Sequence, residues 1–243
     1  MLKRGAILAL LLVACTSSPV DPNAPADESA GMLPSPEADV TAPGMIPAEC
    51  ESLLQKSEEW GYIPGQAWKP ANPEQALAVA KFFSSFRLVS QAGSDFFHAI
   101  QSTAIPAGSE TEAATKLSQV QVCDSNLAAS YLDALTAYRW PAANKSEAAG
   151  YLHQFVLNQQ AVVLPLASRF VVLRVYQNAA SRGLLRGGQP QVAKSLQGSM
   201  LKEMGKIVPA EPVSPADVIA RTKRELTLSE EIRAKLSRML PLP

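Results

Sequence analysis

Helix-start signals recur along this chain, and they restrict what it can fold into more than any other feature. Asn72-Pro73-Glu74-Gln75 sets a capping side chain, a proline at the first helical position and a glutamine at the third. Ser109-Glu110-Thr111-Glu112 reads as a capping box, and Asn144-Lys145-Ser146-Glu147 as a looser one. Ser214-Pro215-Ala216-Asp217 repeats the cap-and-proline pattern, and Thr227-Leu228-Ser229-Glu230 is another box. An Asn, Ser or Thr oxygen at these places accepts from backbone N–H groups that an α-helix leaves without partners. Apolar residues follow at helical spacing. Leu117, Val120, Leu127, Tyr131, Leu135 and Tyr138 form one such stripe. A second, broader one runs from Tyr151 through Phe155, Gln159 and Val163 to Phe170. The fold class expected is all-α.

Pro165 lies inside that second stripe. It lacks a backbone donor and clashes with the carbonyl four residues back, so a kink or break is expected near Ala161. Phe170 to Val175 is rich enough in β-branched residues to read as a strand, but no second strand is available to pair with it, so it is assigned to buried helix. Arg169 and Arg174 argue against that segment crossing a membrane. Loops are marked by Pro64-Gly65, Ile105 to Gly108, Trp140-Pro141, Gly183 to Gly188 and Pro209 to Pro215. Residues 49–243 are enough for one well-buried core. The expected architecture is a bundle of six or seven helices, ending in two short ones at about 215–225 and 228–240 that pack as a peripheral hairpin.

The N-terminus has a different character. Lys3 and Arg4 precede an apolar run from Ala6 to Ala14. A membrane-spanning helix needs about 20 apolar residues, so this run suits the core of an export signal instead. It ends in Leu12-Val13-Ala14-Cys15, which resembles the lipobox of bacterial lipoproteins. The resemblance implies cleavage after Ala14, a diacylglyceryl group on the Cys15 thiol and acylation of the new amine. The membrane is then the first expected partner, through the lipid on Cys15. Thr16 stands where an aspartate in this family favours inner-membrane retention, so the outer membrane is favoured. Residues 1–14 are thus assigned to a signal peptide and 15–48 to a lipidated linker. The linker carries Pro19, Pro22, Pro25, Pro34, Pro36 and further prolines, with five acids and no base. It cannot bury enough apolar surface to offset its ordering entropy, and a disordered tether is expected. A flexible chain of this length has an end-to-end distance of about 30 Å, and about 100 Å as extended polyproline.

With Cys15 assigned to lipid, Cys50 and Cys123 remain as an even pair in an exported chain. A disulfide is expected, fastening the first helix to the third, with Cys123 on the inner face of its own helix. The alternative is two separate buried thiols. No zinc site is expected, since two cysteines with two distant histidines lack close ligand spacing, and no cofactor is implied.

Catalytic inventory is thin. There is no Gly-x-Ser-x-Gly elbow, HExxH, Walker loop or dinucleotide fingerprint. His98 lies three residues after Asp95, an orienter-and-base spacing, and His153 sits at the edge of the long stripe. Both are read as structural, and catalysis is not expected. Trp60, Tyr62 and Trp68 lie around Gly61, Pro64 and Gly65. Exposed, they suit stacking on a sugar or insertion into a partner; folded inward, they form a lid over the core, which is the reading favoured here.

Charge is uneven. Residues 49–139 hold six Lys/Arg against ten Asp/Glu, and 140–243 hold fourteen against seven. The basic residues Arg182, Arg186, Arg221, Lys223 and Arg224 are candidates for an anionic partner or lipid surface, or else solvated helix faces. The glycines around Arg186 suit backbone donation to an anion. Nucleic acid is not expected of an exported protein whose aromatics are not interleaved with its bases. The expected function is that of a non-enzymatic envelope lipoprotein whose body binds another envelope protein. An envelope glycan- or lipid-binding module is the alternative, and an envelope-acting hydrolase is ranked below it.

Overall fold

The computed structural model describes residues 48–106, 108–120, 123, 125–207 and 214–240. The expected signal peptide, Cys15 and the tether up to residue 47 lie outside the described residues. The fold is all-helical, with no strand and nine α-helices among the described residues. They are α1 (Ala48–Glu59), α2 (Pro73–Ser85), α3 (Gln91–Ser102), α4 (Glu110–Gln119), α5 (Ser125–Ala137), α6 (Ala142–Gln160), α7 (Leu166–Ser181), α8 (Pro190–Ile207) and α9 (Pro215–Met239).

Two starts form as the sequence implies. Asn72 Oδ1 accepts from Gln75 N at 2.8 Å, and Gln75 Oε1 accepts in return from Ala71 N at 2.7 Å. Ser214 Oγ accepts from Asp217 N at 3.2 Å. Three others differ. Ser109 precedes α4 without a side-chain cap bond. Helix α6 begins at Ala142 behind Pro141, so Asn144 is already inside it. Thr227 and Ser229 lie within α9, a single 25-residue helix where two short ones were expected. Their hydroxyls have other uses. Thr227 Oγ1 donates back to Lys223 O at 2.8 Å, and Ser229 Oγ reaches Leu164 O at 2.6 Å.

The count exceeds six or seven because long apolar patterns are interrupted by tertiary bonds. The stripe from Leu117 to Tyr138 is divided between α4 and α5. Cys123 sits in the connection, not in a helix, with its N–H donating to Leu88 O at 2.9 Å. Between α2 and α3 the chain turns at Phe86 to Ser90, and Ser90 Oγ caps α3 through Gly93 N at 3.0 Å. A Cβ on Gly93 would lie 2.9 Å from a Val89 methyl, so the start of α3 approaches closer than alanine allows.

Helix α7 is the hub. It packs on α5, α6, α8 and α9, while α9 also covers α3 and α4, and α2 lies along α6. Its buried side chains include Val172, Leu173, Val175 and Tyr176, all at 0% exposure, which explains a β-branched run inside a helix: the face packs on every side. Pro165 breaks the pattern where expected. Helix α6 ends at Gln160 and α7 starts at Leu166. The freed polar groups are satisfied from elsewhere. Arg169, fully buried, donates to Gln159 O at 2.8 Å and Val162 O at 2.9 Å. Arg233 Nη1 donates to Gln160 O at 3.0 Å, and Ser94 Oγ accepts from Val163 N at 2.8 Å. Desolvation pulls the Arg169 guanidinium down to about 10, against the attraction of Glu230, whose carboxylate lies 3.7 Å away. It remains charged at neutral pH.

Helix α1 is held by a covalent bond. Cys50 and Cys123 form a disulfide, with Cα atoms 5.1 Å apart, closing a span of 73 residues. The bond joins α1 to the α4–α5 connection and not, as expected, to a helix. The buried Leu53 and the half-buried Trp60 just past the helix add apolar contacts.

Two stability outcomes follow. Arg169→Met should destabilise the protein by about 3–5 kcal/mol, because it strands the two buried carbonyls and leaves the half-buried Glu230 with Arg233 as its one cation. Urea denaturation checks this, and a loss below about 1 kcal/mol would show that the break is held without Arg169. Chain entropy assigns the disulfide about 4 kcal/mol. Cys50→Ser with Cys123→Ser should therefore lower the urea midpoint substantially without loss of helix signal in buffer.

Candidate functional site

The aromatic segment after α1 folds inward. Gly61 and Gly65 take positive φ values of 71° and 81°, which let the chain reverse twice within a few residues. Tyr62 N donates to Ser57 O at 2.9 Å, closing the end of α1, and Trp68 Nε1 donates to Trp60 O at 2.8 Å. All three rings converge on Tyr131 of α5. The ring centroids lie 5.3 Å away for Trp60, 5.8 Å for Tyr62 and 4.7 Å for Trp68. Trp60 also meets Phe82 edge-on at 5.2 Å. Burial pushes the Tyr131 phenol above its usual value. Trp68 is only 4% exposed and Trp60 and Tyr62 are half-buried, so the candidate stacking surface is a lid over the core. Iodide quenching of tryptophan fluorescence is expected to be weak, since Trp140 is buried as well. Quenching near that of a free indole would show the segment open.

Beside the lid is a cleft of about 690 Å³, with Trp68, Lys69 and Pro70 on one wall and Asp133, Tyr138 and Arg139 on the other. Its carboxylate is engaged, since Arg174 Nη2 lies 2.9 Å from Asp133 Oδ2. Burial raises the Asp133 pKa, and the attraction of Arg174 works against the rise. The pair ties α5 to α7 through Oδ2, while Asp133 Oδ1 is buried without a hydrogen-bond partner.

The two histidines are apart. His98 is exposed on α3, and Asp95 Oδ1 accepts from Gln91 Nε2 at 2.9 Å, so Asp95 orients no imidazole. His153 is half-buried on α6, where burial lowers its pKa. Among the described residues no group of three or more His, Cys, Asp or Glu comes together to hold a metal.

The basic candidates are divided between two elements. Arg221, Lys223 and Arg224 lie on α9. Arg221 pairs with Glu225 at 3.0 Å, Lys223 Nζ donates to Thr103 O at 2.8 Å, and Arg224 is exposed. The first two are thus used in part to hold the helix and its neighbour. Arg182 and Arg186 flank the loop between α7 and α8. Arg182 Nη1 donates to Ala137 O at 3.3 Å, at the end of α5. Three of the loop's backbone donors are already used within the loop and the end of α7. Gly183 N donates to Ala180 O, Leu184 N to Ala179 O and Gly188 N to Leu185 O.

The loop closes against the start of α6, and the two form a cleft of about 650 Å³ containing Lys145, Ser146, His153 and Arg186. A second cleft of about 310 Å³ continues from it past Arg139, Trp140 and Arg182. Lys145 and Leu184 line both. Sequence reasoning singled out Arg182 and Arg186 but not Arg139 or Lys145. Those two are 43 and 37 residues before Arg182 in the chain, and only the packing of α5 and α6 on α7 brings them near. Compared with protein-family models, curated proteins and solved structures, the chain matches none of them.

Proposed function

We propose that the chain is a lipid-anchored bacterial envelope lipoprotein whose helical body serves as a non-enzymatic interaction or accessory module. The observation that carries this reading is Leu12-Val13-Ala14-Cys15 behind a basic and then apolar N-terminus. The Cys50–Cys123 bond supports it independently, because structural disulfides persist in oxidising compartments such as the periplasm. The bond also suits a tethered body. Any pull along residues 16–48 reaches Cys50 near the start of α1, and the bond passes it to the α4–α5 connection and the core rather than to the hydrogen bonds of α1.

The interaction reading rests on how the interior polar groups are used. Gln159 donates to Phe86 O at 2.6 Å and accepts from Leu88 N at 3.1 Å. Arg169, Ser229 and Ser94 hold the α6–α7 break. Tyr176 OH donates to Met239 O at 2.8 Å. Each is engaged in holding backbone, and none is aimed into a cleft beside a nucleophile.

Cys15→Ser is the direct test of the anchor. The native chain should enter the detergent phase on Triton X-114 partition and the variant should stay in the aqueous phase. A variant that partitions like the native chain would remove the lipid anchor. Crosslinking in intact cells should then recover a reproducible envelope neighbour, lost when exposed residues of the body are substituted. Recovery of glycan or lipid with no protein would replace the interaction module with a binding module.

A further inference from the structure

The two adjoining clefts between α5, α6 and the α7–α8 loop combine features that no element supplies alone. Arg139, Lys145, Arg182 and Arg186 line them, all exposed at their outer ends, together with the half-buried His153. No Asp or Glu lines either cleft. Among the described residues, none of these four cations has a carboxylate within ion-pair distance, whereas Lys56, Arg174, Lys206 and Arg233 each have one. Four like charges around a concavity with apolar walls raise the local potential well above that of the same charges on a convex surface.

The helix start adds to this. Ala142, Lys145, Ser146 and Ala149 present the first two turns of the 19-residue α6 to the larger cleft. Its N-cap is Pro141, which makes no side-chain cap bond, so no carboxylate or hydroxyl competes for that end. The larger cleft runs along the flank of α6 from Ala142 to His153, and the positive end of the helix dipole adds to the side-chain charges at its Ala142 end. The smaller cleft has a different wall. Tyr138 and Trp140 meet edge-to-face at 5.0 Å, and Trp140 Nε1 is already committed to Leu135 O at 3.0 Å, leaving an apolar ring edge.

We infer that the two clefts form one binding site for a ligand carrying two phosphate groups. Each phosphate ester carries about 1.5 to 2 negative charges at neutral pH, so two of them match the four cations. Arginine forks and a lysine point charge are the side chains that suit phosphate oxygens. Lys145, common to both clefts, stands between the two anion positions. The Tyr138–Trp140 edge accommodates apolar or ring atoms joined to the phosphates. This inference rests on side chains of the helical body and is independent of the anchor on Cys15. The phosphates can belong to a soluble molecule or to a lipid headgroup.

The test uses the full chain carrying Cys15→Ser, so that a lipid anchor does not itself bind vesicles. One arm titrates inorganic pyrophosphate by calorimetry. The other measures sedimentation with phosphatidylcholine vesicles with and without cardiolipin, whose headgroup holds two phosphates. Saturable pyrophosphate binding is expected. Lys145→Ala or Arg186→Ala should weaken it about tenfold or more, while Lys194→Ala, on an exposed face of α8, should leave it unchanged. All three positions are exposed, and far-UV circular dichroism confirms that the variants fold. Binding only to cardiolipin vesicles, with the same dependence on Lys145 and Arg186, supports the site and assigns its phosphates to lipid. Absence of binding in both arms overturns the inference. So does an equal loss in Lys194→Ala, which would mean attraction to net charge alone.

Discussion

Much of this structure depends on how the chain survives Pro165. A proline inside the longest apolar pattern ends α6 and leaves carbonyls at Gln159, Gln160, Val162 and Leu164 facing the interior. An unpartnered buried carbonyl costs about 1–3 kcal/mol, so four of them would consume much of a typical domain's stability. Arg169 takes two, Arg233 takes one and Ser229 takes one. Arg169 comes from the helix that the proline starts, whereas the other two come from α9, far along the chain. The break is therefore also the junction: α9 is drawn across α6 and α7 by the groups that the proline left open. A buried guanidinium is expensive to desolvate, and its two short bonds, with Glu230 at 3.7 Å, are what offset that cost.

The same dependence explains what the sequence does and does not disclose. Helix type was legible nearly everywhere, because it rests on local spacing and on caps such as Asn72 and Ser214. The Pro165 break was legible because proline acts on its own backbone. Helix number was not, because the α4–α5 interruption depends on Cys123 bonding to Cys50 and to Leu88, both distant in sequence. Ser229 and Glu230 show the converse error. They have the composition of a helix start, yet they sit in the middle of α9. Their positions are set by the α6–α7 junction, which no local pattern reports. Gln159 and Arg169 were visible as polar residues inside apolar stripes, and such residues are the sequence trace of a buried pin.

The candidate surfaces divide along the same line. The aromatic segment contained its own instruction: two glycines and a proline allow three rings to return onto one neighbour. What the neighbour would be was not local, and Tyr131 is recognisable only once α5 lies against α2 and the segment after α1. The basic half of the chain was legible as charge but not as shape. Arg221 is paired within α9 and Lys223 ties that helix to the end of α3, while Arg182 and Arg186 meet Lys145 and Arg139 across a concavity.

Charge in this protein thus has two roles that can be separated by what each group touches. Inside, a cation such as Arg169 meets fixed backbone oxygens, and its position is dictated by the fold. Arg174 joins α7 to α5 through the Asp133 carboxylate, and Arg233, paired with Glu230 within α9, reaches α6 through Gln160 O. The cleft cations lack such carboxylate partners among the described residues, and the helices that carry them are already fixed by apolar contacts of Leu135, Leu152 and Tyr176. Folding does not require four unopposed positive charges to converge at one end of α5 and α6. Their mutual repulsion opposes that arrangement, although solvent screens it. An anion that enters the cleft reverses the sign of that term, so the arrangement that is unfavourable for the empty protein is the one that favours an anionic ligand.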